Sequence, residues 1–390
     1  MSDCPTTYLD HGATTPLRPE VADAMAAARA LPLGNPTGSH RPAQRARRLL
    51  EEARDEVAAS MGRQPGEIVF TSGGTESANL AVFGALGAGC RAPRSASLLS
   101  SAVEHPAVRE SCRAAAQSAS VTWHELPVDG SGLVDLHALE AAVDGATALV
   151  AVMLANNETG VLQPLDRVVE TVRRASDTAV VFTDAVQAAS FLDLAESAAG
   201  ADLVALSAHK LGGPVGVGVL AVRAGVALAP RQHGGGQERE RRSGTQDVVG
   251  AVGLATALHL AAAERVEVAQ RVAALRDRLA GGLVASIAGA CRTVPPGVAT
   301  LPGHLHLCLP GVEREELLVA LDAHGICASG GSSCASGALE ASHVLAAMGV
   351  PDRLARGSIR FTMGRDTTAA DIDRALAVVP PVVASLRHDP

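Results

Sequence analysis

Lys210 closes the run Ser207-Ala208-His209-Lys210, just ahead of Gly212-Gly213-Pro214, and it is the single lysine among 33 basic residues. Arginine replaces lysine as a surface charge, but the amine alone forms a Schiff base or shuttles a proton near neutrality. A composition that uses arginine everywhere else and keeps this one lysine points to a need for its amine. A lysine at a strand end, hemmed by a Gly-rich turn, suits an amine that carries a cofactor aldehyde, with Ser207 and His209 beside it for a phosphate. Pyridoxal phosphate needs such a lysine, phosphate donors and a carboxylate for its pyridinium nitrogen. Asp184 is the candidate carboxylate; its ordinary structural role would be a helix N-cap.

Two further groups carry chemistry. Ser72-Gly73-Gly74-Thr75 joins a strand to a helix, where glycines admit a ligand to the backbone and free N–H groups face a phosphate. It is not a Walker loop, since no Gly-Lys-Ser/Thr follows; an ordinary turn with a Thr cap is the plain reading. Cys334 lies in Gly330-Gly331-Ser332-Ser333-Cys334-Ala335-Ser336-Gly337. Cysteine is usually a core residue, yet this run should form an exposed loop, where a thiol is retained for reactivity. Cys327 reads as strand packing, and the remaining cysteines have no comparable setting.

These residues need elements that bring them together. Apolar runs at Ile68–Thr71, Ser97–Ser101, Ala148–Leu154, Val180–Thr183 and Leu203–Leu206 read as strands alternating with helices, which makes a largely parallel sheet covered on both faces. Their ends carry Thr75, His105, Asn157, Asp184 and Lys210. In open α/β sheets, ligands sit outside the carboxyl ends of the strands, so these five converge on one site. Beyond residue 256 the pattern changes. A long helix is expected over Thr256–Leu283, strands at His304–Leu309 and Ile359–Thr362, and a helix over Glu313–His324. Thr368 and Asp371 form a capping box for a last helix. We read residues 14–256 as a large domain, and 257–390 with 1–13 as a smaller α/β domain.

Composition excludes several classes. The chain has 390 residues, 47% of them hydrophobic and 19% charged, enough apolar surface to exclude a disordered chain. A net charge of −8 with 2% aromatics lacks the basic surplus and stacking platforms of a nucleic-acid binder. Arg41, Arg45, Arg47 and Arg48 read as a solvated helix face. The seven cysteines form no CxxC pair, against both a disulfide framework and a zinc site, and no metal is expected. No secretory signal or 18-residue apolar run is visible, so the reading is cytoplasmic, with no membrane partner.

The chain resembles the cysteine desulfurases of the NifS/IscS type, within the class V aminotransferase group. The resemblance runs nearly end to end. It rests on YLDHGATTP from Tyr8, GNPTGSH from Gly34, EIVFTSGGTESANL from Glu67, VEHPAV from Val103, NNETG from Asn156, DAVQ from Asp184 and SAHK from Ser207. It continues with HGGGQERERRSGT from His233, GSSCASG from Gly331 and SIRF from Ser358. It implies the α/β architecture of pyridoxal-phosphate fold type I, with a mostly parallel seven-stranded sheet, and a homodimer. By resemblance, Lys210 would carry pyridoxal 5'-phosphate, Asp184 would pair with the ring nitrogen, Gln187 with the ring hydroxyl, and His105 would stack on the ring. Gly74, Thr75, Ser207 and His209 would hold the phosphate, with Thr245 reaching in from the partner subunit. Asn157 would lie on the substrate side, Arg360 would clamp the substrate carboxylate, and Cys334 would accept sulfur from L-cysteine, leaving L-alanine. The persulfide would pass to an acceptor protein, for iron–sulfur assembly or thiolation of tRNA or other substrates. The alternative is a selenocysteine lyase or another class V enzyme; Cys334 argues against a plain aminotransferase, which needs no thiol. The chain departs from the family at Ser333, where alanine is frequent, at Pro42-Ala43, where glycine is usual, and in a short carboxyl end.

Overall fold

The computed structural model describes residues 6–88, 96–118, 120–331 and 342–387. Its strands in chain order are β1 (Thr7–Tyr8), β2 (Ile68–Thr71), β3 (Ala96–Ser101), β4 (Val121–Leu126), β5 (Thr147–Ala151), β6 (Val180–Asp184), β7 (Leu203–Ser207), β8 (Gly218–Val222), β9 (Cys291–Arg292), β10 (His304–Cys308), β11 (Ile326–Cys327) and β12 (Ser358–Thr362). Seven make the central sheet, in the order β2-β8-β7-β6-β5-β3-β4. β8 is antiparallel to both of its neighbours, and the other pairings are parallel. The interior strands are apolar on both faces, as a sheet sandwiched between helix layers requires: β7 and β8 are buried along their whole length.

The order places the carboxyl ends of β5, β6 and β7 side by side, and with them the residues that follow each strand. The chain turns back into β8 through Gly212-Gly213. β8 then starts at Gly218, where an added Cβ would come within 2.6 Å of Gly73 Cα and 2.7 Å of the Leu206 carbonyl. The strand therefore passes against the Ser72–Thr75 turn at backbone contact, and only glycine fits.

A second sheet of three antiparallel strands, β12-β10-β9, lies in the carboxyl-terminal half. β1 pairs in parallel with β11, and Asp10 and Ser329 bridge onto β12 at Thr362 and Arg360. The amino-terminal segment is thus woven into the last third of the chain. Buried side chains gather into a large cluster around the central sheet and another around β10, β12 and the last helix, Ala369–Leu386. The helix Val248–Ser286 contributes to both. It opens eight residues earlier than its periodicity indicates, with Asp247 as N-cap accepting from the Gly250 N–H at 2.9 Å. The Thr368–Asp371 capping box is formed as expected, with mutual bonds at 2.8 and 3.3 Å.

Candidate active site

Each polar residue that follows a sheet strand is fixed by its own local geometry. The chain leaves β7 into a single 3-10 turn, Ala208–Lys210, which carries the lysine out of the sheet. Its backbone is held from the Lys210 carbonyl, which accepts from Thr15 and Ser190 hydroxyls, each at 3.1 Å. The Lys210 amine is directed inward and donates to the carbonyls of Gly12 at 2.5 Å and Ala13 at 2.7 Å. Burial lowers its pKa to about 8, assisted by Arg360 and opposed by Asp10 and Asp184.

Asp184 ends β6. One carboxylate oxygen accepts from the Val186 N–H at 2.9 Å, which is the local capping role. Burial pushes the carboxyl up, opposed by His105, the Val186 bond and Lys210. His105 caps the helix Pro106–Ala115: its Nδ1 accepts from the Ala107 N–H at 3.1 Å, so the neutral ring carries its proton on Nε2. Burial lowers the ring's pKa, partly offset by Asp184. Gln187, on the turn after β6, donates to the Gly12 carbonyl at 2.8 Å.

Arg360, on β12, is buried and reaches the site from the second sheet. Its Nη1 donates to the Asn157 carbonyl at 2.6 Å and its Nη2 to Asp10 Oδ1 at 2.7 Å. Its Nε is buried with no hydrogen-bond partner among the described residues.

Gly74, Thr75, His105, Asn157, Asp184, Gln187, Ser207, His209, Lys210 and Arg360 all line one cavity of about 470 Å³. His209 faces Thr14 Oγ1 at 3.2 Å, and burial lowers its pKa to about 4, so it is neutral. Thr245 is exposed and does not line this cavity. Cys334 lies outside the described residues; Gly331, three positions before it, is on the cavity wall. Reading the residues singly misses Asp10, Gly12 and Ala13, which come from the amino-terminal segment and act partly through backbone carbonyls. It also misses two buried acids. Glu104 accepts from the Met153 N–H at 2.6 Å, and burial raises it well above the usual range. Glu158 accepts from the Ser342 hydroxyl at 2.6 Å and is pushed by burial to about 7. Both lie inside quoted motifs, VEHPAV and NNETG, which was the available signal.

A half-buried lysine, a carboxylate ending the neighbouring strand and a Gly-Gly-Thr helix start around one cavity are the decisive arrangement, and residues 7–375 match Aminotransferase class-V. The chain belongs to the class-V aminotransferase family. It is 42% identical over 386 residues to an IscS-like cysteine desulfurase from Mycobacterium tuberculosis, spanning 98% of this chain and 97% of that protein. Among solved structures, a NifS-like protein superposes with a TM-score of 0.90 at 35% identity, over 98% of this chain and 100% of that one. SspA in complex with cysteine superposes with a TM-score of 0.77 at 28% identity, over 92% and 99% respectively.

Class-V enzymes of this type depend on pyridoxal phosphate in fold type I, and the cavity fits that group. The Lys210 amine is bound by neutral carbonyls alone, which leaves its lone pair accessible on loss of a proton near pH 8. The Asp184 carboxylate has no arginine partner and gains most from a protonated ring nitrogen. The neutral His105 ring offers a face, and the turn into the helix Gly74–Ala88 offers N–H groups to a phosphate.

Proposed function

We propose that this chain is a cysteine desulfurase that removes sulfur from L-cysteine to give L-alanine and a persulfide on Cys334. The observation that carries the reading is the class-V cavity itself. Lys210 stands on one wall, Arg360 presents an unpartnered buried Nε, and Gly331, three positions before Cys334 in sequence, lines the same cavity. Lys210, Asp184, Gln187, His105, Gly74, Thr75, Ser207 and His209 hold pyridoxal phosphate, which supplies a carbonyl carbon for the substrate amine and a ring that withdraws electrons from the α-carbon.

The chain's own residues do the rest. Arg360 is held at both Nη atoms and pairs through its remaining N–H groups with the substrate carboxylate; Asn157 lines the same side. The Lys210 amine, neutral at mildly alkaline pH, takes the α-proton at Nζ and later returns a proton to carbon. Cys334 takes the sulfur: the substrate C–S bond breaks, an S–S bond forms, and the products are alanine and Cys334 persulfide. A thiol of an acceptor protein removes the outer sulfur.

The working unit in this reading is a cytoplasmic homodimer in which Thr245 of each chain completes the phosphate site of the other. The reading also keeps a large unit over 14–256 and a smaller one over 1–13 with 257–390. Purified protein given L-cysteine and a reductant is expected to release sulfide and alanine in equal amounts. Cys334→Ala should keep the cofactor's visible absorbance and lose sulfide release. Normal sulfide production by Cys334→Ala would remove Cys334 from its role, and no alanine from the wild type would remove the desulfurase reading.

A further inference from the structure

The described residues hold four free cysteines: Cys112, Cys291, Cys308 and Cys327. Cys112 is fully buried, and its thiol is pushed up to about 12 by burial, so it is inert. Cys291 and Cys308 stand differently. They are direct cross-strand partners in the antiparallel β9–β10 pair, Cys308 against Cys291 and Leu307 against Arg292. Directly opposed residues on such a pair have Cα atoms about 4.5 or 5.5 Å apart. Both distances fall inside the ~4.4–6.8 Å range that a disulfide spans. As directly opposed residues of an antiparallel pair, the two side chains share a face of the sheet, and Cys291 is among the groups that raise the Cys308 thiol.

Their exposures are complementary. Cys291 is exposed, on the edge strand of its three-stranded sheet. Cys308 is 1% exposed, and its sulfur also meets the Thr293 hydroxyl at 3.3 Å. An oxidant arriving from solvent therefore meets Cys291 first, with Cys308 waiting beneath it. Burial raises the Cys308 thiol, and no charged partner stands beside it to lower it.

We propose that Cys291 and Cys308 form a peroxide-oxidisable dithiol, in which Cys291 is attacked first and Cys308 resolves it as an intrachain disulfide. The sulfur of Cys291 attacks a peroxide oxygen; the O–O bond breaks, leaving a sulfenic acid and water. The sulfur of Cys308 then displaces the sulfenic oxygen; the S–O bond breaks, the S–S bond forms, and a second water leaves with the remaining thiol proton. Two electrons pass from the cysteine pair to one hydrogen peroxide, giving one disulfide and two waters. The site is separate from the cofactor cavity, which neither cysteine lines. It needs no sulfur transfer, so it stands whether or not the chain is a desulfurase.

Arg278, Arg292 and Arg314 make the test clean, because trypsin separates the two cysteines onto peptides 279–292 and 293–314. The holoenzyme is treated with hydrogen peroxide at about two equivalents per chain, quenched with iodoacetamide, digested and weighed by mass spectrometry. About half of the chains or more are expected to carry the two peptides joined, two hydrogens lighter than their sum and separable by a reductant. Cys291→Ser, a change at an exposed position, should lower oxidation of Cys308 by about tenfold or more. Cys308→Ser should leave a sulfenic acid on Cys291 that dimedone traps. The proposal is overturned if both peptides remain alkylated singly, if Cys291 advances to sulfinic acid without any joined peptide, or if Cys308 oxidises as fast in Cys291→Ser as in the wild type.

Discussion

Two carbonyl oxygens, not a carboxylate, receive the Lys210 amine, and this sets its proton affinity. A carboxylate in the same place would hold the ammonium form more strongly; burial, with the Arg360 charge beside it, releases the proton and brings the pKa from 10.5 to about 8. A lowered lysine pKa means that the reactive free amine is present at lower pH. Uptake of pyridoxal phosphate by cofactor-free protein should therefore rise with pH and reach half its limit near 8. Borohydride reduction followed by peptide mapping should place the label on Lys210. A half-point above 10 would show an ordinary exposed lysine. The singular lysine and the strand-end Asp184 were legible because residue type alone restricts their chemistry. Asp10 and the carbonyls of Gly12 and Ala13 were not, since any residue has a carbonyl and the contacts span some 200 positions of sequence.

At the scale of elements, the segment between β8 and the helix Val248–Ser286 has an uncommon backbone. Glu238, Arg239 and Glu240 are three successive non-glycine residues at φ 48°, 56° and 64°, a conformation that side chains of this size disfavour. The segment is held by a buried ion pair: Arg54 donates to Glu238 at 2.8 and 2.9 Å, and Glu238 also accepts from the Phe70 N–H at 2.9 Å and the Gln246 amide at 3.1 Å. Arg54 and hydrogen bonds hold the Glu238 carboxyl low despite its burial. Removing one member leaves a buried charge unpaired, so Glu238→Ala should destabilise the fold by about 3–5 kcal/mol, read as a lower denaturation midpoint. Arg54→Leu with Glu238→Leu should lose much less than the two single changes added together. Nothing in the sequence pattern marks this pair. The pattern also names five of the seven central strands and misses two. β4 is an edge strand whose alternate residues are solvated, and its polar positions resemble a loop. β8 follows a glycine-rich turn and opens on Gly218, which backbone contact with Gly73 demands. The long helix begins at 248 rather than 256 because Gly250 and Gly253 hide its periodicity. Both are needed there: a Cβ would strike Asp247 and Val217 at the first, and Met25 and Pro214 at the second.

For the whole molecule, Thr245 is exposed and lies outside the cofactor cavity of its own chain, while its neighbours Arg242, Gly244 and Gln246 are bonded within that chain. If Thr245 serves the partner's site, the protein sediments as a dimer at assay concentrations. Mixing an inactive Lys210→Ala chain with an inactive Thr245→Trp chain should then restore part of the activity, since one hybrid site combines intact parts of both. A fully active monomer would exclude the shared site.

The helix Val248–Ser286 runs 39 residues, about 58 Å at its ordinary rise, and its burial is interrupted. It is seated in one apolar cluster up to Ala261 and in the other from Val272, while no residue between those two is buried. The turns between are braced mainly by polar contacts, Glu264 with Arg18 and Arg265 with Asp193 on one side, Arg271 with the carbonyls of Arg365 and Thr367 on the other, with Val268 the partly buried apolar contact. One continuous helix thus behaves as a torsion bar clamped at its ends. Its amide protons should exchange with deuterium in three zones, slow at both ends of the buried stretches and fast across 262–271. A twist there would change the angle between the two apolar bodies, while the helix remains one element.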